Sequence, residues 1–419
     1  MNIEIQKTLD RLFALHTFGI KLGLDNIVKF LGPLDNPQNS LKTFHIAGSN
    51  GKGSTAAFTA SILQEAGFKT GLYTSPHFVR FNERIKINGT EVPDNFIADF
   101  YSGNEKFISE NKLTFFEVTT AMAFQYFSEQ NVDFAVIETG LGGRLDATNV
   151  LNPLAVIITS ISLEHTNILG TTIDLIAAEK AAIIKENSKV FTGLLPEEAD
   201  KVISEKCKEK KCELFRIEEY SNQKGGTIEL YTEEIELDDW TMPLRGDYQK
   251  YNAALAALAV SKTLNIDSTR HITDGIKNVV ANTGLQGRYE YFSRKPDIIF
   301  DSAHNPEGIR NFLSEFSKDK NLYSYKEVIF GVMKDKAVED MILQLKSAFD
   351  NILLTSFDYE RACSLNDLQL ICGKLNIDYR ALTNPADYIK DFKKRKPDNC
   401  LVVLGSMFLL GEIKSKLIK

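Results

Sequence analysis

Along the first two-thirds of the chain, hydrophobic and polar positions follow two alternating patterns, one typical of strands and one typical of helices. Short runs of β-branched and aromatic residues predict strands, namely KTFHIAG, KTGLYTS, VDFAVIETG, LAVIITSIS and KVFTGLL. Between them, apolar residues recur at three- and four-residue spacing over residues 54–66, 117–129 and 172–186, which predicts helices. Strands that alternate with helices are typical of a parallel sheet covered by helices, so the pattern predicts a doubly wound, mostly parallel α/β domain.

The rhythm changes further along the chain. Charged and apolar residues alternate over residues 215–240, which predicts a hairpin excursion, and a helix is predicted over residues 248–264. After the polar stretch ANTGLQGRYE, strand patterns return in PDIIFDS, KEVIFGV, NILLTSF and CLVVLGS. We therefore predict one domain over residues 1–285 and a smaller C-terminal α/β, Rossmann-like domain over residues 286–419.

Composition narrows the class of protein. The chain has 419 residues, of which 43% are hydrophobic and 25% charged, which is ordinary for a globular protein. Its net charge of -7 argues against a general nucleic-acid binder. Five cysteines without a CxxC pair predict neither a disulfide framework nor a zinc site, and no apolar run reaches the length of a membrane span. The sequence predicts a cytoplasmic protein with no targeting segment and no membrane partner.

The segment HIAGSNGKGST joins a predicted strand to a predicted helix. Amide N–H groups and the helix dipole at such a junction favour a phosphate, and Lys52 adds a positive charge. Ser54 can face a phosphate oxygen or its Mg²⁺, while Gly51 and Gly53 let the backbone close around the ligand. Ile46 stands where the common eight-residue P-loop has its first glycine, so a plain strand-to-helix turn is the alternative.

Polar side chains also follow the neighbouring strands. Ser75 and His77 come after KTGLYT, Glu138 ends VDFAVIE, and His165 follows LAVIITSIS. Ligands of parallel sheets bind outside the carboxyl ends of the strands, and a carboxylate at such a place is paired or binds a cation. We therefore expect Ser75 and His77 to lie near the nucleotide, and the position of His165 beside Glu138 favours a role as a ligand. The alternatives are an incidental surface loop around Ser75 and a structural role for His165.

Taken together, these motifs resemble those of the folylpolyglutamate synthase and dihydrofolate synthase family, within the Mur-type ligases. AGSNGKGST is similar to the family's AGTNGKGS loop, and SPHFVRFNERI, ETGLGGRLDATN, EHTNILG, EKAAIIK, GRYE and DSAHNP match further family motifs in order. Their joint occurrence is far more specific than a single P-loop. The resemblance implies a Mur-ligase-like fold and an ATP-dependent ligase that joins L-glutamate to a folate or dihydropteroate carboxylate through an acyl phosphate.

The resemblance also implies roles for the residues that match the motifs. Contacts with ATP are implied for Gly51, Lys52, Gly53, Ser54, Asn252, Arg288 and Asp301. Ligands of Mg²⁺, of which the family typically holds two, are implied at Ser75, Glu138 and His165. His304 is implied to contact the reacting groups. Tyr248 stands where histidine is common and Gln286 where proline is usual.

Lys180 matches the family's carbamylated lysine. Carbamylation would turn a cation into an anion that can hold a metal, so Lys180 counts among the predicted catalytic residues. The alternative is a lysine on the helix surface that pairs with Glu179 or Glu186.

On the folate side, the resemblance covers Thr114, Phe115, Phe116 and Glu117. Aromatic rings can stack on a pterin and a carboxylate can accept its N–H groups, although both phenylalanines equally suit a core. Ser406 is the candidate on the glutamate side. We expect small-molecule partners, no nucleic acid, and a monomer. A Mur-type ligase with another substrate, a P-loop kinase and a non-enzymatic nucleotide-binding module are the alternatives, and the choice between dihydrofolate synthase, folylpolyglutamate synthase and both stays open.

Overall fold

A computed structural model describes residues 3–15, 23–224, 227–238 and 240–417. The chain forms two compact units. Unit 1 consists of Met1–Ser75, Phe81–Pro243 and Lys250–Gly284, and unit 2 consists of Pro76–Arg80, Leu244–Gln249 and Leu285–Lys419. The predicted domain limits place both short segments in the first domain, whereas the compact units assign them to the second.

An eight-stranded sheet forms the centre of unit 1, in the order β4-β3-β2-β5-β1-β6-β7-β8. The strands are β1 (Thr43–Ala47), β2 (Thr70–Tyr73), β3 (Ile85–Ile87), β4 (Thr90–Glu91), β5 (Phe134–Glu138), β6 (Ala155–Ile158), β7 (Lys189–Thr192) and β8 (Glu213–Arg216). In the order of the sheet, all neighbouring pairs from β2 to β8 are parallel, and β3 is the one strand that runs in the opposite direction, antiparallel to both β2 and β4. The predicted doubly wound, mostly parallel sheet is confirmed.

Helices cover this sheet, and the long ones are amphipathic or buried. They are α1 (Ile3–Ala14), α2 (Asp25–Leu31), α3 (Lys52–Glu65), α4 (Asp94–Glu110), α5 (Phe115–Glu129), α6 (Thr166–Leu169), α7 (Ile173–Ala181), α8 (Glu197–Lys210), α9 (Ile217–Tyr220), α10 (Asp247–Leu264), α11 (Thr269–Lys277) and α12 (Val279–Thr283). α7 ends before the predicted residue 186 because the N–H groups of Ile183 and Ile184 bond three residues back, which tightens the last turn.

The predicted hairpin excursion is a three-stranded antiparallel sheet. Its strands are β9 (Ser221–Lys224), β10 (Thr227–Tyr231) and β11 (Glu236–Leu237). The indole Nε1 of Trp240 donates to the carbonyl of Ile228 at 2.6 Å and fixes the end of this excursion against its middle strand. The excursion begins later than predicted, because residues 213–216 form the edge strand β8 of the large sheet.

Unit 2 has its own six-stranded sheet in the order β12-β13-β17-β14-β15-β16, with only β12 antiparallel. The strands are β12 (Glu290–Ser293), β13 (Asp297–Asp301), β14 (Tyr325–Phe330), β15 (Asn351–Leu354), β16 (Arg380–Ala381) and β17 (Asn399–Leu404). The helices are α13 (Pro306–Asp319), α14 (Val338–Lys346), α15 (Leu365–Lys374), α16 (Pro385–Phe392) and α17 (Met407–Leu417). Apolar clusters fill both faces of the sheet. The second, smaller α/β fold is therefore also confirmed.

Short 3₁₀ turns connect several of these elements, at Gly32–Leu34, Pro37–Ser40, Phe81–Arg84, Ala147–Val150 and Lys320–Leu322. Within the described ranges, no helix has both the length and the apolar character needed to cross a bilayer.

Candidate active site

The glycine loop between β1 and α3 is closely enclosed by side chains. Gly51 precedes α3 with a φ of +88°, and a Cβ there would lie 2.5 Å from the amide oxygen of Asn252. A Cβ on Gly48 would lie 1.9 Å from Thr159 Oγ1. Only glycine fits at these two positions, and a bend without side chains is what a loop that wraps a phosphate requires. Gly53 and the buried Ser54 follow as the second and third residues of α3.

The residues after β6 hold this loop from the side. Thr159 Oγ1 donates to the carbonyl of Asn50 at 2.6 Å, and Ser160 Oγ accepts from the Asn50 N–H at 2.9 Å. The Ser49 N–H donates to the Ser160 carbonyl at 2.8 Å, and the Ser162 N–H donates to Ser49 Oγ at 3.0 Å. Sequence reasoning missed these hydroxyl groups, although the Ser/Thr cluster at the end of LAVIITSIS was their signal. These hydrogen bonds from Thr159, Ser160 and Ser162 fix the conformation of the loop at Ser49 and Asn50.

Two lysines meet at the same carbonyl group of the loop. Lys52 Nζ donates to the Gly48 oxygen at 2.8 Å and to the Ser49 oxygen at 3.2 Å. Lys180 Nζ, on α7, donates to the same Gly48 oxygen at 2.9 Å and to Glu164 Oε1 at 2.8 Å. The structure thus concentrates positive charge where a phosphate would bind.

Lys180 is 1% exposed, so the alternative of a surface lysine is wrong. Glu179, one of the two partners considered for it, pairs instead with Arg144 at 2.8 Å. α7 thus buries Lys180 and leaves Glu179 partly exposed. The partner of Lys180 is Glu164, which the sequence analysis did not single out.

The charges of this cluster shift one another's ionisation. Burial acts to raise the pKa of Glu164, but the cations Lys180 and Lys52 outweigh it and hold that pKa at about 2. Burial lowers the pKa of Lys180, and Glu164 opposes this shift while Lys52 adds to it. Glu164 is therefore a permanent anion at neutral pH, beside an ammonium group that loses its proton more readily than an exposed lysine would.

The predicted metal ligands stand at the carboxyl ends of strands that are close in the sheet. Glu138 ends β5 and lies beside Ile46 of β1, and its Oε2 accepts from the Ser75 N–H at 2.9 Å. His165 precedes α6 in the left-handed conformation, with a φ of +45°. Among the described residues no group of three His, Cys, Asp or Glu side chains could hold a metal, and the predicted set includes a serine hydroxyl.

A second buried network supports the turn that follows Glu138. The Asp146 carboxylate accepts the N–H groups of Gly140 and Leu141 at 2.9 and 2.8 Å, and the Thr148 hydroxyl at 2.5 Å. Because that hydroxyl donates to Asp146, it accepts from Nε2 of His45 on β1, at 2.8 Å. Burial, with a smaller contribution from a nearby lysine, lowers the pKa of His45 to about 3. This neutral histidine connects β1 to the turn, and the sequence analysis did not identify it.

The predicted folate-side segment begins α5. Thr114 is its N-cap, and Glu117 completes a capping box by accepting from the Thr114 N–H at 2.7 Å and the Thr114 hydroxyl at 2.9 Å. Phe115 stacks on Phe13 with ring centroids 5.7 Å apart, inside the apolar core. Phe116 is partly buried. The TFFE segment is a helix start in this structure, and its contact with a substrate stays a prediction.

In unit 2 the structure brings together the predicted residues of the GRYE and DSAHNP motifs. Arg288 donates to the Ser302 hydroxyl and to the Gly287 carbonyl. Asp301 accepts the Tyr289 N–H at 2.7 Å and the Ala303 N–H at 2.8 Å. Burial raises the pKa of Asp301, and Arg288 opposes this shift.

His304 and Ser406 lie on loops of the same unit. His304 Nδ1 is 2.8 Å from the Ser302 carbonyl, so Nδ1 carries a hydrogen. Ser406 is buried after β17, and its Oγ accepts from the Phe408 N–H at 3.2 Å, which helps to start α17. Tyr248 lies near Asp301 and Arg288, and burial raises the pKa of its hydroxyl.

Comparisons with known proteins identify the family of this chain. The family described as Mur ligase middle domain matches residues 46–260, and the family described as Mur ligase, glutamate ligase domain matches residues 287–407. The dihydrofolate synthase/folylpolyglutamate synthase of Bacillus subtilis (strain 168) is 36% identical over 418 residues, which cover 96% of each chain.

Solved structures show the same fold. E. coli FolC in complex with DHPP and ADP superposes with a TM-score of 0.86 at 28% identity, over 98% of this chain and 97% of that one. The bifunctional folylpolyglutamate synthase/dihydrofolate synthase from Yersinia pestis, complexed with AMPPNP and Mn ion, gives a TM-score of 0.87 at 26% identity, over 99% and 98%. The predicted resemblance is confirmed. This chain belongs to the folylpolyglutamate synthase and dihydrofolate synthase family of Mur ligases, which are ATP-dependent ligases.

Proposed function

We propose that this protein uses ATP to join L-glutamate to the carboxylate of a folate, and that it also accepts dihydropteroate. The observation that carries the proposal is the meeting of Lys52 and Lys180 at the Gly48 carbonyl, in a loop with no room for side chains. The B. subtilis relative carries both activities in its name, which supports the second half of the proposal.

The reaction has two steps. The substrate carboxylate attacks the γ-phosphorus of ATP, and the bond between this phosphorus and the oxygen that bridges the β- and γ-phosphates breaks. ADP is the leaving group, and the substrate becomes an acyl phosphate. The amine of L-glutamate then attacks the acyl carbon, inorganic phosphate leaves, and the nitrogen loses a proton. A carboxylate alone is a poor acyl donor, and the phosphate makes it a good one.

Lys52 and the amides of the loop act on the phosphoryl group. The Lys52 ammonium bonds two loop carbonyls here, and we expect it to exchange them for phosphate oxygens when ATP binds. Positive charge that is fixed before the reaction stabilises the transferring phosphoryl group without further reorganisation. Gly51, Gly53 and Ser54 complete this phosphate site, with Asn252 beside the bend.

Ser75, Glu138 and His165 are the proposed ligands of Mg²⁺. A hydroxyl, a carboxylate and an imidazole form a donor set that a divalent cation accepts, and the Yersinia pestis relative is complexed with Mn. A bound cation would neutralise charge on the phosphate oxygens. Of the protein's own groups, the Ser75 N–H orients the Glu138 carboxylate from one side.

We further propose that Lys180 is carbamylated in the active enzyme and helps to hold a second cation. Its lowered pKa favours the free amine that attacks CO₂. The carbamate would face the anion Glu164, an arrangement that a shared cation can stabilise.

Replacement of Lys180 tests the carbamate. We expect Lys180→Ala to lower turnover about a hundredfold and short-chain carboxylates such as acetate to restore part of it, because they supply the missing anion. Intact-mass measurement of the native protein in bicarbonate should show the added mass of CO₂. No rescue together with no added mass would contradict the modification.

Unit 2 supplies the remaining proposed contacts. Arg288 and Asp301 are proposed to bind the nucleotide and His304 to contact the reacting groups. The Ser302 carbonyl accepts from Nδ1 of His304 and so orients its ring. Ser406 is proposed for the glutamate side, and residues 114–117 for the pterin side.

One assay tests the whole proposal. ADP release is measured with L-glutamate and, in turn, dihydropteroate, tetrahydrofolate or neither acceptor, and the products are identified by mass. We expect release with both acceptors and glutamate-dependent products with one added amide bond. Release without glutamate would favour a kinase, and nucleotide binding without any release would favour a binding module. With L-glutamate present, release with tetrahydrofolate but not with dihydropteroate would limit the activity to folylpolyglutamate synthase.

We also propose that the protein works as a cytoplasmic monomer, as its family commonly does. Light scattering at the concentrations of the assay tests the oligomeric state, and fractionation of cells that produce the protein tests the location.

A further inference from the structure

A buried ammonium group in unit 2 is fully surrounded by acceptors. Lys414, on α17, is 3% exposed. Its Nζ bonds both carboxylate oxygens of Glu290 at 2.7 Å and the Gln286 Oε1 at 2.9 Å. The ring of Phe78 lies with its centroid 5.3 Å from the same nitrogen. Three acceptor contacts match the three hydrogens of an ammonium, so this cation is fixed in place.

Glu290 connects Lys414 to the backbone of the turn before β12. Its Oε2 also accepts the Gly287 N–H at 2.7 Å, and on the other side of Arg288 the Tyr289 N–H is held by Asp301 at 2.7 Å. Gly287 and Tyr289 both have positive φ, +62° and +46°. The turn is thus bent sharply on both sides of Arg288, and a side chain holds the amide on each side.

We propose that Lys414 is a positioning residue for Arg288, acting through Glu290 on the turn that presents the guanidinium group. The inference rests on the proposed function, because it requires Arg288 to act on the nucleotide. Stability alone does not account for the arrangement, since buried ion pairs often add little net stability compared with apolar side chains of the same size. Gln286 fits this role, because its side-chain oxygen gives Lys414 a further acceptor from the residue directly before Gly287.

A double-mutant cycle between Lys414→Met and Arg288→Met tests the inference. We expect each single variant to lower kcat/KM for ATP, Arg288→Met most and Lys414→Met about tenfold, because a small misplacement of a catalytic contact is costly. The double variant should be no worse than Arg288→Met alone. Lys414→Arg should keep most of the wild-type kcat/KM for ATP, because it retains a cation beside Glu290.

A matched control separates positioning from folding. Arg395→Met also removes the cation of an ion pair in unit 2, in which a partly exposed Arg395 lies 2.9 Å from the buried Glu327, but its partners lie outside the Arg288 turn. Arg395→Met should lower the melting temperature and leave kcat/KM for ATP unchanged. If Lys414→Met does not fold, Glu290→Gln takes its place in the cycle, since it removes the charge that holds Lys414 and nearly keeps the size of the side chain.

The outcomes distinguish the two proposals. If Arg288→Met leaves turnover unchanged, the role of Arg288 fails and the inference about Lys414 fails with it. If Arg288→Met is impaired but Lys414→Met is as active as wild type, only the inference is overturned. It is also overturned if the two losses multiply in the double variant, because Lys414 would then act independently of Arg288.

Discussion

Lys180 in unit 1 and Lys414 in unit 2 are both buried, yet their surroundings differ. Lys414 bonds both oxygens of one carboxylate and an amide oxygen. Lys180 bonds one carboxylate oxygen and a carbonyl oxygen that it shares with a second cation, Lys52. A cation with a full set of acceptors fixes the structure around it. A cation that competes with another cation for its acceptor is available for chemistry.

The difference extends to the two regions. At the carboxyl edge of the unit 1 sheet, the ammonium groups of Lys52 and Lys180 both act on the carboxylate of Glu164, so an added anion would be stabilised there. In the turn before β12, charges are balanced one to one and the amides are occupied. We therefore assign chemistry to the first region and positioning to the second, and four predictions test that division, from the largest expected effect to the smallest.

Removing the charge of Lys52 should have the largest effect. Lys52→Ala should lower ATP turnover by about a thousandfold or more, because the ammonium group neutralises the transferring phosphoryl group. Steady-state ADP release measures the effect and circular dichroism checks the fold. The exposed Lys29→Ala on α2 is the control and should keep full activity. If the folded Lys52→Ala variant keeps full turnover, the assignment of chemistry to the unit 1 region is wrong.

The two anions that face the buried lysines should respond differently to CO₂. In CO₂-free buffer, Glu164→Gln and Glu290→Gln should each reduce the free energy of unfolding by about 3 kcal/mol, because each leaves a buried ammonium without its anion. In bicarbonate the loss for Glu164→Gln should shrink, since a carbamate on Lys180 no longer needs an anion. The loss for Glu290→Gln should stay the same. Denaturant unfolding in both buffers measures this, and equal losses for Glu164→Gln would refute a modified Lys180.

The pH dependence of stability should come partly from unit 1, through His45. Its pKa is lowered from 6.5 to about 3, so the folded protein holds a neutral ring while the unfolded chain takes up a proton below pH 6.5. The stabilisation is complete above pH 6.5 and decreases by about 1.4 kcal/mol per pH unit as the pH falls toward 3.

His45→Gln should remove that part of the pH dependence and keep a donor for Thr148. Between pH 6.5 and 4.5, wild type should lose about 2 kcal/mol more than His45→Gln in denaturant unfolding. Parallel curves for the two proteins would show that His45 is protonated in the folded state.

Thr114 and Glu117 should give the smallest effect. Their mutual bonds are satisfied, as those of Lys414 are, so we expect replacement of Thr114 to act first on stability, beside the proposed contact of residues 114–117 with the pterin. Thr114→Ala should cost about 1 kcal/mol of unfolding free energy and Thr114→Ser almost nothing, since serine also caps a helix. A raised KM for the folate substrate in Thr114→Ala, at an equal folded fraction, would add a substrate role.

The sequence was sufficient for the two sheets, and the site residues that it grouped stay a prediction. Apolar runs and the rule that ligands bind at carboxyl strand ends were enough to group Lys52, Glu138 and His165, because parallel strands bring distant segments to one edge. The capping box at Thr114 also has a sequence signature, S/T-x-x-E, which predicts the start of a helix at this segment.

Other features depend on tertiary packing and have no local signature. A lysine in the segment GEIKSKL has the pattern of a solvated helix end, and only the packing of α17 against β13, with the ion pair to Glu290 of β12, buries Lys414. The pairing of Lys180 with Glu164 likewise requires α7 to fold back beneath the glycine loop. Neither could be read from residue spacing, because the partners are set by which helix faces which strand.

The chain enters unit 2 three times, and this affects any attempt to dissect the protein. A gene fragment that begins at Leu285 would encode neither Phe78 nor Arg245. Gly411 would then lack its closest neighbour, since a Cβ there would lie 1.8 Å from the Phe78 carbonyl oxygen, and Glu315 would lose the guanidinium group 3.1 Å away. A designer who wants the second unit as an independent module must therefore graft both short peptides onto it.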